Sequence, residues 1–412
     1  MKIFWVKAGK ILPVDTGGRI RSYHLLRALA EIEELTFLSY YGGPRDEEYE
    51  AAIQKELPGA ITVCTAASDA TAFEQGFLYL RCLPGNAPFA VSKFTNSKVR
   101  GVVEEQYDKK AFDVAICDFL SASLNFPEVL SRPTALFQHN VESCLWERLA
   151  DRESNLVKKL FYRVESAKMA RYERKAIARF HHVIAVSEVD RQQMLAMKSD
   201  CPITVVPTGV NCREYPVAPA SQSRPPRIVF IGSMDWEPNI DAVAFFCREI
   251  WPIVLAEFPD SVFEVVGRNP HASVRRLASQ NVKVTGTVPS VRDYVDPASV
   301  VVVPLRIGGG TRLKIFEAMA MGKALVSTTI GAEGLDVTSG RDVILADDPR
   351  SFADSILLLL RDDALRRRYE IAAAQLASQY DWSEIAKRFR DALEQTVSDT
   401  SRNSSAADPL PA

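Results

Sequence analysis

Residues 299–322 read "SVVVVPLRIGGGTRLKIFEAMAMG". Four consecutive valines, Val300 to Val303, predict a strand buried on both faces. The segment after Thr311 reads as a helix, with Thr311 as its N-cap and Gly322 as the C′ glycine that ends it. Between them stand Gly308, Gly309 and Gly310, each of which costs roughly 0.5–1 kcal/mol of backbone entropy relative to alanine. Arg312 and Lys314 fall in the first turn, where the helix dipole disfavours cations by about 0.3–1 kcal/mol each. A strand, a bare-backbone loop and a positively charged helix start together present backbone N–H groups to a phosphate. A bound diphosphate would neutralise both cations, and the glycines would let it approach the main chain. Lys314 and Glu317 are three apart and share a helix face. One can reach phosphate while the other accepts hydrogen bonds from a ribose. The competing reading is a flexible glycine loop beside a solvated charged face.

The same strand-then-helix alternation runs through the chain. Strand-like runs occupy 2–8, 35–41, 61–64, 113–119, 134–140, 182–187 and 203–207 in the first half, and 227–233, 262–267, 282–288, 299–305, 324–328 and 342–346 in the second. They are apolar on both faces and separated by helical patterns, which predicts buried parallel strands. "YPVAPASQSRPPR" (215–227) has the Pro and Ser content of a linker. The expected fold is therefore α/β, with two Rossmann-like domains whose parallel sheets face a central cleft. The first domain covers 1–215, the linker 216–226 and the second domain 227–381. Ligands in such sheets sit beyond the carboxyl ends of the strands. A helix over 382–397 carries Ile385, Phe389, Leu393 and Val397 on one stripe, and 398–412 reads as a disordered tail.

Composition narrows the function classes. The chain has 412 residues, 47% of them hydrophobic, and a net charge of -2, which gives no electrostatic reason to expect nucleic acid. Its seven cysteines form no C-x-x-C pair, so they read as small core residues in a reducing compartment. No run of 18 apolar residues occurs, and the apolar run at the N-terminus is too short for a signal-peptide core. A cytoplasmic location is expected. "KKLFYRVESAKMARYERKAIARF" (158–180) holds eight Lys and Arg against Glu165 and Glu173, with an apolar stripe through Leu160, Val164, Met169 and Ile177. It is either a solvated helix or one that rests on anionic lipid at the inner face of the cell membrane.

Three further features bear on chemistry. "VDTGGRIRSYHLLRALA" (14–30) is a second glycine loop between a strand and a helix, where Gly17 and Gly18 could approach a ligand; an ordinary turn is the alternative. His139, in "FQHNVE", falls at the carboxyl end of a buried strand, beside Asn140 and Glu142; a satisfied structural histidine is the alternative. No D-x-D occurs, so a metal-bridged diphosphate lacks its usual acidic pair. No metal site is expected, and leaving-group charge would fall to Arg, Lys and backbone N–H groups.

Taken together, "GGGTRLKIFEAMAMGKALVSTTIGAEGL" (308–335), "GGRIRSYHLLRALA" (17–30), "HNVE" (139–142), "HHVIAVSEVDRQQM" (181–194), "VVPTGVN" (205–211), "FIGSMDWEPNIDAV" (230–243) and "VTGTVPSVRDYV" (284–295) resemble, in order, the motifs of family 4 glycosyltransferases. These have the GT-B fold, and the look-alikes are bacterial enzymes of exopolysaccharide and cell-surface glycan synthesis. The resemblance implies a retaining, metal-independent transfer from a nucleotide-diphosphate sugar to a glycan or lipid-linked acceptor, with no cofactor beyond the donor. It also implies that the second domain holds the nucleotide, the first holds the acceptor, and helix 382–397 crosses back to the first. Glu317 matches the second glutamate of the family's donor motif and is expected on the ribose hydroxyls. The first glutamate falls on Gly309. Ser233 and Pro238 stand where many members have Arg and Lys, so Arg306, Arg312, Lys314 and Arg268 are the expected substitutes. Arg306, Lys314 and the N–H groups following Gly310, those of Thr311, Arg312 and Leu313, would stabilise the leaving charge. Gly17 and Gly18 would pack on the diphosphate, and His139 would meet the donor sugar. An isomerase resembling nucleotide-sugar 2-epimerases and a non-catalytic nucleotide-sugar-binding protein remain alternatives.

Overall fold

The computed structural model describes residues 1–65, 85, 87–153, 155–215, 225–307 and 313–406. Each of the thirteen runs read as strands holds one, β2 starting one residue earlier than its run. The first seven are β1 (Lys2–Ala8), β2 (Glu34–Tyr41), β3 (Ile61–Cys64), β4 (Val114–Asp118), β5 (Thr134–Gln138), β6 (His182–Ala185) and β7 (Ile203–Val205). The other six are β8 (Arg227–Ile231), β9 (Val262–Val266), β10 (Val282–Gly286), β11 (Val300–Val303), β12 (Leu325–Ser327) and β13 (Ile344–Leu345). They form two sheets, ordered β3-β2-β1-β4-β5-β6-β7 and β10-β9-β8-β11-β12-β13, and every pairing in each is parallel. In both, the chain builds outward from its first strand to one side and then crosses to the other. The reversal lies between β1 and β4 in one sheet and between β8 and β11 in the other. That is where a doubly wound sheet opens a crevice at its carboxyl edge.

The chain divides into two compact units. One is Met1–Pro207 with Ile385–Ala412, and the other is Thr208–Glu384. In the first, β4 and β5 are buried along their whole length, as double-sided cover by helices requires. Trp5 on β1 stacks on Phe389 at 5.4 Å and meets Phe137 edge-on at 5.8 Å. Ile385, Phe389 and Leu393 are all buried, so the stripe read from the sequence is the inner face of the last helix.

That helix runs Trp382–Ala406, so residues 398–406 are helical where a disordered tail was expected. The polar composition that suggested disorder supplies its own hydrogen bonds. The hydroxyls of Ser398, Thr400 and Ser401 donate to the carbonyls of Glu394, Thr396 and Val397, four residues back, at 2.9, 2.7 and 2.8 Å. Residues 407–412 and most of the expected linker lie outside the described residues.

The basic segment is also corrected. It forms the helix Leu156–Arg179, but its expected apolar stripe does not stay on one surface. Met169 and Ile177 are buried in the core of the first unit, whereas Leu160 is 65% exposed. At 3.6 residues per turn, the nine residues from Leu160 to Met169 make about two and a half turns, so the two side chains point to opposite sides of the helix.

Candidate active site

In the second unit, the carboxyl ends of β9, β8 and β11 lie side by side. The loop after β11 carries Gly308, Gly309, Gly310, Thr311 and Arg312, which lie outside the described residues, as does the Leu313 side chain. The chain resumes as the helix Leu313–Ala320. Lys314, in its first turn, donates from Nζ to Asn239 Oδ1 at 2.7 Å and lies 4.7 Å from the Phe230 ring centre. Asn239 is 5% exposed and donates in turn to the Ser233 carbonyl at 2.8 Å. One asparagine thus ties the lysine to the loop after β8.

Two glycines make this possible. A Cβ at Gly232 would stand 2.7 Å from Asn239 Nδ2 and 3.0 Å from Lys314 Nζ. A Cβ at Gly267, whose φ is +157°, would stand 1.7 Å from the Gly232 carbonyl oxygen. The loops after β8 and β9 are packed backbone on backbone, with the Lys314 ammonium next to the bare main chain of Gly232.

The other expected cations are engaged by neighbours. Arg306 forms a two-pronged ion pair with Asp241, at 3.0 and 2.5 Å, and covers the Phe245 ring at 4.4 Å. A carboxylate therefore already neutralises it. Arg268 donates to Ser233 Oγ at 3.0 Å, and that hydroxyl donates to Asp235 at 2.6 Å. Glu317 is half-buried, and burial raises its carboxyl above the ordinary range; nearby Glu214 adds to this and Lys314 opposes it.

In the first unit, the reversal between β1 and β4 holds a buried polar cluster. Lys7 Nζ lies 3.1 Å from Asp118 Oδ2 and donates to Ser22 Oγ at 3.0 Å. Trp5 Nε1 donates to the same Asp118 oxygen at 3.0 Å. His139, 2% exposed, has its Nε2 at 2.9 Å from Asp118 Oδ1. The approach is a charge–dipole contact rather than an aligned hydrogen bond, and Nδ1 has no hydrogen-bond partner among the described residues. The ring stacks on Phe119 at 3.8 Å. A Cβ at Gly18 would touch Phe119 at 3.0 Å and come within 3.9 Å of His139 Nδ1. The bare Cα of Gly18 is thus packed against Phe119, near the edge of the imidazole ring that carries Nδ1. Gly17 begins the same helix, Gly17–Ala30.

Electrostatics fix the protonation states. Burial pushes His139 down to about 3, against the pull of Asp118, so the ring is neutral at neutral pH. Burial would raise Asp118, but Lys7 and His139 outweigh it and hold the carboxylate well below its ordinary range. Burial lowers Lys7, and Asp118 resists.

A second buried carboxylate shapes the histidine loop. Glu173, fully buried, accepts from Gln138 Nε2 at 3.0 Å, Glu142 N at 2.9 Å, Ser143 N at 3.1 Å and Ser143 Oγ at 2.6 Å. It clamps both sides of His139 and caps the helix Glu142–Arg152. Glu142 pays for this arrangement: burial, then Glu173, push its carboxyl up to about 7. Its folded value lies above the unfolded one. Its stabilising contribution is therefore present below about pH 4 and lost as pH rises through about 7. The stability advantage of Glu142→Gln over the parent protein should be about 1–2 kcal/mol larger at pH 8 than at pH 5 in urea unfolding. The His139 contribution, which runs the other way, is common to both proteins and cancels. An equal difference at both pH values would refute the assignment.

Sequence reading did not single out Lys7, Asp118, Glu173 or Asn239. The signal for the first two was present: each is a charge near the carboxyl end of an apolar strand run, "KIFWVKA" and "DVAICDF". A charge there is either paired or functional.

Comparison with known proteins bears on the fold. Residues 225–362 match the family described as Glycosyl transferases group 1. Phosphatidyl-myo-inositol mannosyltransferase of Mycobacterium leprae is 29% identical over 230 residues, which are 53% of this chain and 60% of that protein. Sucrose-phosphate synthase from Thermosynechococcus elongatus superposes with a TM-score of 0.67 at 17% identity, over 96% of this chain and 98% of that one. Anabaena Alr3699/HepE in complex with UDP superposes with a TM-score of 0.64 at 14% identity, over 96% and 100%. The two-sheet fold expected from the sequence is the one these structures share.

Proposed function

With residues 225–362 standing among the group 1 glycosyl transferases and both sheets built as in GT-B enzymes, we propose that this chain is a retaining, metal-independent glycosyltransferase. It moves a sugar from a nucleotide-diphosphate donor to a glycan or lipid-linked acceptor. The observation that carries the reading is Lys314, held by Asn239 against the bare backbone of Gly232 at the reversal of the second sheet. A diphosphate there meets an ammonium, the first-turn N–H groups of the helix Leu313–Ala320, and no side chain at Gly232 to exclude it. UDP in the Anabaena complex supports a nucleoside diphosphate as the leaving group. The lipid in the mycobacterial enzyme's name supports a lipid-linked acceptor.

The chemistry that suits these residues is departure of the nucleoside diphosphate with attack from the same face. The diphosphate oxygens themselves take the acceptor's proton. Lys314 and the helix-start N–H groups meet the leaving charge. Neutral His139 offers Nδ1 to a sugar hydroxyl, and Glu317 accepts from the ribose. Arg306 contributes only if its pair with Asp241 opens.

The test is incubation of purified protein with a panel of nucleotide sugars and a polyprenyl-phosphate-linked glycan in excess chelator. Nucleoside diphosphate should appear only with acceptor, and the product should keep the donor's anomeric configuration by NMR. An inverted product, or activity that returns only with magnesium, would overturn the proposal. Release without acceptor, with a 2-epimeric sugar, would make it an isomerase. Glu317→Ala should weaken nucleoside diphosphate binding by about 1.5–3 kcal/mol, the range for hydrogen bonds to a charged group. Calorimetric titration showing unchanged affinity would remove Glu317 from the ribose.

A further inference from the structure

The helix Leu156–Arg179 carries eight Lys and Arg and two glutamates. Both glutamates are fully buried. Glu165 accepts from the Phe89 backbone N–H at 2.8 Å, and Glu173 is spent on the histidine loop. Every charge this helix shows to solvent is therefore positive. At its first turn Leu156, Val157 and Leu160 are 81%, 79% and 65% exposed. Leu156 and Leu160 are four apart and share a face. Lys158 and Arg163 are exposed around them, and Lys159 is half-buried. The first turn contains no acidic residue, although the helix dipole disfavours cations there. Behind this tip, Trp146 of the preceding helix meets Phe161 at 6.2 Å and Tyr162 at 6.0 Å, all three half-buried.

We propose that this helix tip docks on an anionic lipid surface, with Leu156, Val157 and Leu160 entering the headgroup region and Lys158, Lys159 and Arg163 meeting the headgroups. Charge complementarity chooses the occupant. Three exposed apolar side chains with Lys158, Lys159 and Arg163 on the same helix start, and one carboxylate, Glu153, spent on the Asn155 N–H, fit an apolar interior beneath an anionic layer. A second copy of the same tip would bring like charges together. Half-buried Trp and Tyr behind the leucines are the residues that settle at such an interface. No helix of the described residues is long and apolar enough to cross a membrane, so the contact would be peripheral. The inference does not rest on the transfer reaction proposed above.

The experiment is co-sedimentation of the full chain with vesicles of phosphatidylcholine alone or with about one third phosphatidylglycerol. The protein should pellet with the anionic vesicles, and less so as salt is raised. Lys158→Gln with Lys159→Gln should weaken partitioning by a factor of roughly thirty, at about a factor of five per cation. Leu156→Asp with Leu160→Asp should abolish it while leaving the melting temperature unchanged. Failure of the parent protein to bind anionic vesicles overturns the proposal, as does binding that ignores both double variants. Should the leucine variant instead convert a dimer to a monomer in light scattering, with no vesicle binding by either protein, the face belongs to a second copy. A lowered melting temperature without vesicle binding means that the chain covers these leucines itself, and also overturns the proposal.

Discussion

Asp118→Asn is expected to destabilise the first unit by about 3–5 kcal/mol at neutral pH, because it strips the counter-charge from a buried lysine. Lys7 is 4% exposed, and Asp118 is the carboxylate on its ammonium at 3.1 Å. The asparagine keeps an acceptor for the Trp5 indole, so the loss reports the charge rather than a broken hydrogen bond. For a unit of this size the melting temperature should fall by roughly 6–20 °C. The pH dependence has a definite sign. Asp118 is held below its unfolded value, so its contribution is present above about pH 4 and is lost as pH falls further. The gap between parent and variant should therefore be widest near neutrality and close in acid. It should narrow in alkali too, where the stranded Lys7 sheds its proton. Lys7→Met in the Asp118→Asn background should recover most of the loss, since replacing both members of a buried pair is often neutral. If Asp118→Asn costs less than about 1 kcal/mol, or Lys7→Met rescues nothing, the pair is not what holds this cluster together.

What the sequence revealed follows from where the governing contacts lie. Strands buried on both faces must be apolar runs, which is why all thirteen could be read directly. The stripe of Ile385, Phe389 and Leu393 was visible because its periodicity is local. The pairings that define the site are not local. Lys7 and Asp118 are 111 residues apart, and Arg306 and Asp241 are 65 apart. No spacing rule connects them. Arg306 therefore read as a cation available to phosphate, whereas Asp241 already holds it. Lys314 read as misplaced at a helix start, whereas Asn239 and the Phe230 ring receive it. Residues 398–406 failed the reading for the opposite reason. Their composition resembles disorder, and the i to i−4 hydroxyl bonds of Ser398, Thr400 and Ser401 exist only once the helix has formed.

Lys314→Met is expected to slow sugar transfer by roughly 10²–10³-fold, the range for removing one group aimed at developing charge. Methionine keeps the length of the side chain and its packing on Phe230, and removes only the ammonium. The folded state loses a cation–π contact worth about 0.5–1 kcal/mol and leaves the Asn239 oxygen without its donor, about 1–3 kcal/mol at most. Against that, the dipole penalty on a first-turn cation disappears, a gain of about 0.3–1 kcal/mol. The net change in melting temperature should be small beside the change in rate. Binding of nucleoside diphosphate should weaken, and the deficit relative to the parent should shrink as salt screens the parent's ammonium. Asn239→Ala supplies the control for position. It leaves the charge but releases it from the Gly232 backbone, so affinity should fall less than turnover does. A Lys314→Met protein that melts much lower but transfers normally per folded molecule would make Lys314 a structural residue. The glycines that precede it would then need another explanation than a diphosphate at this helix start.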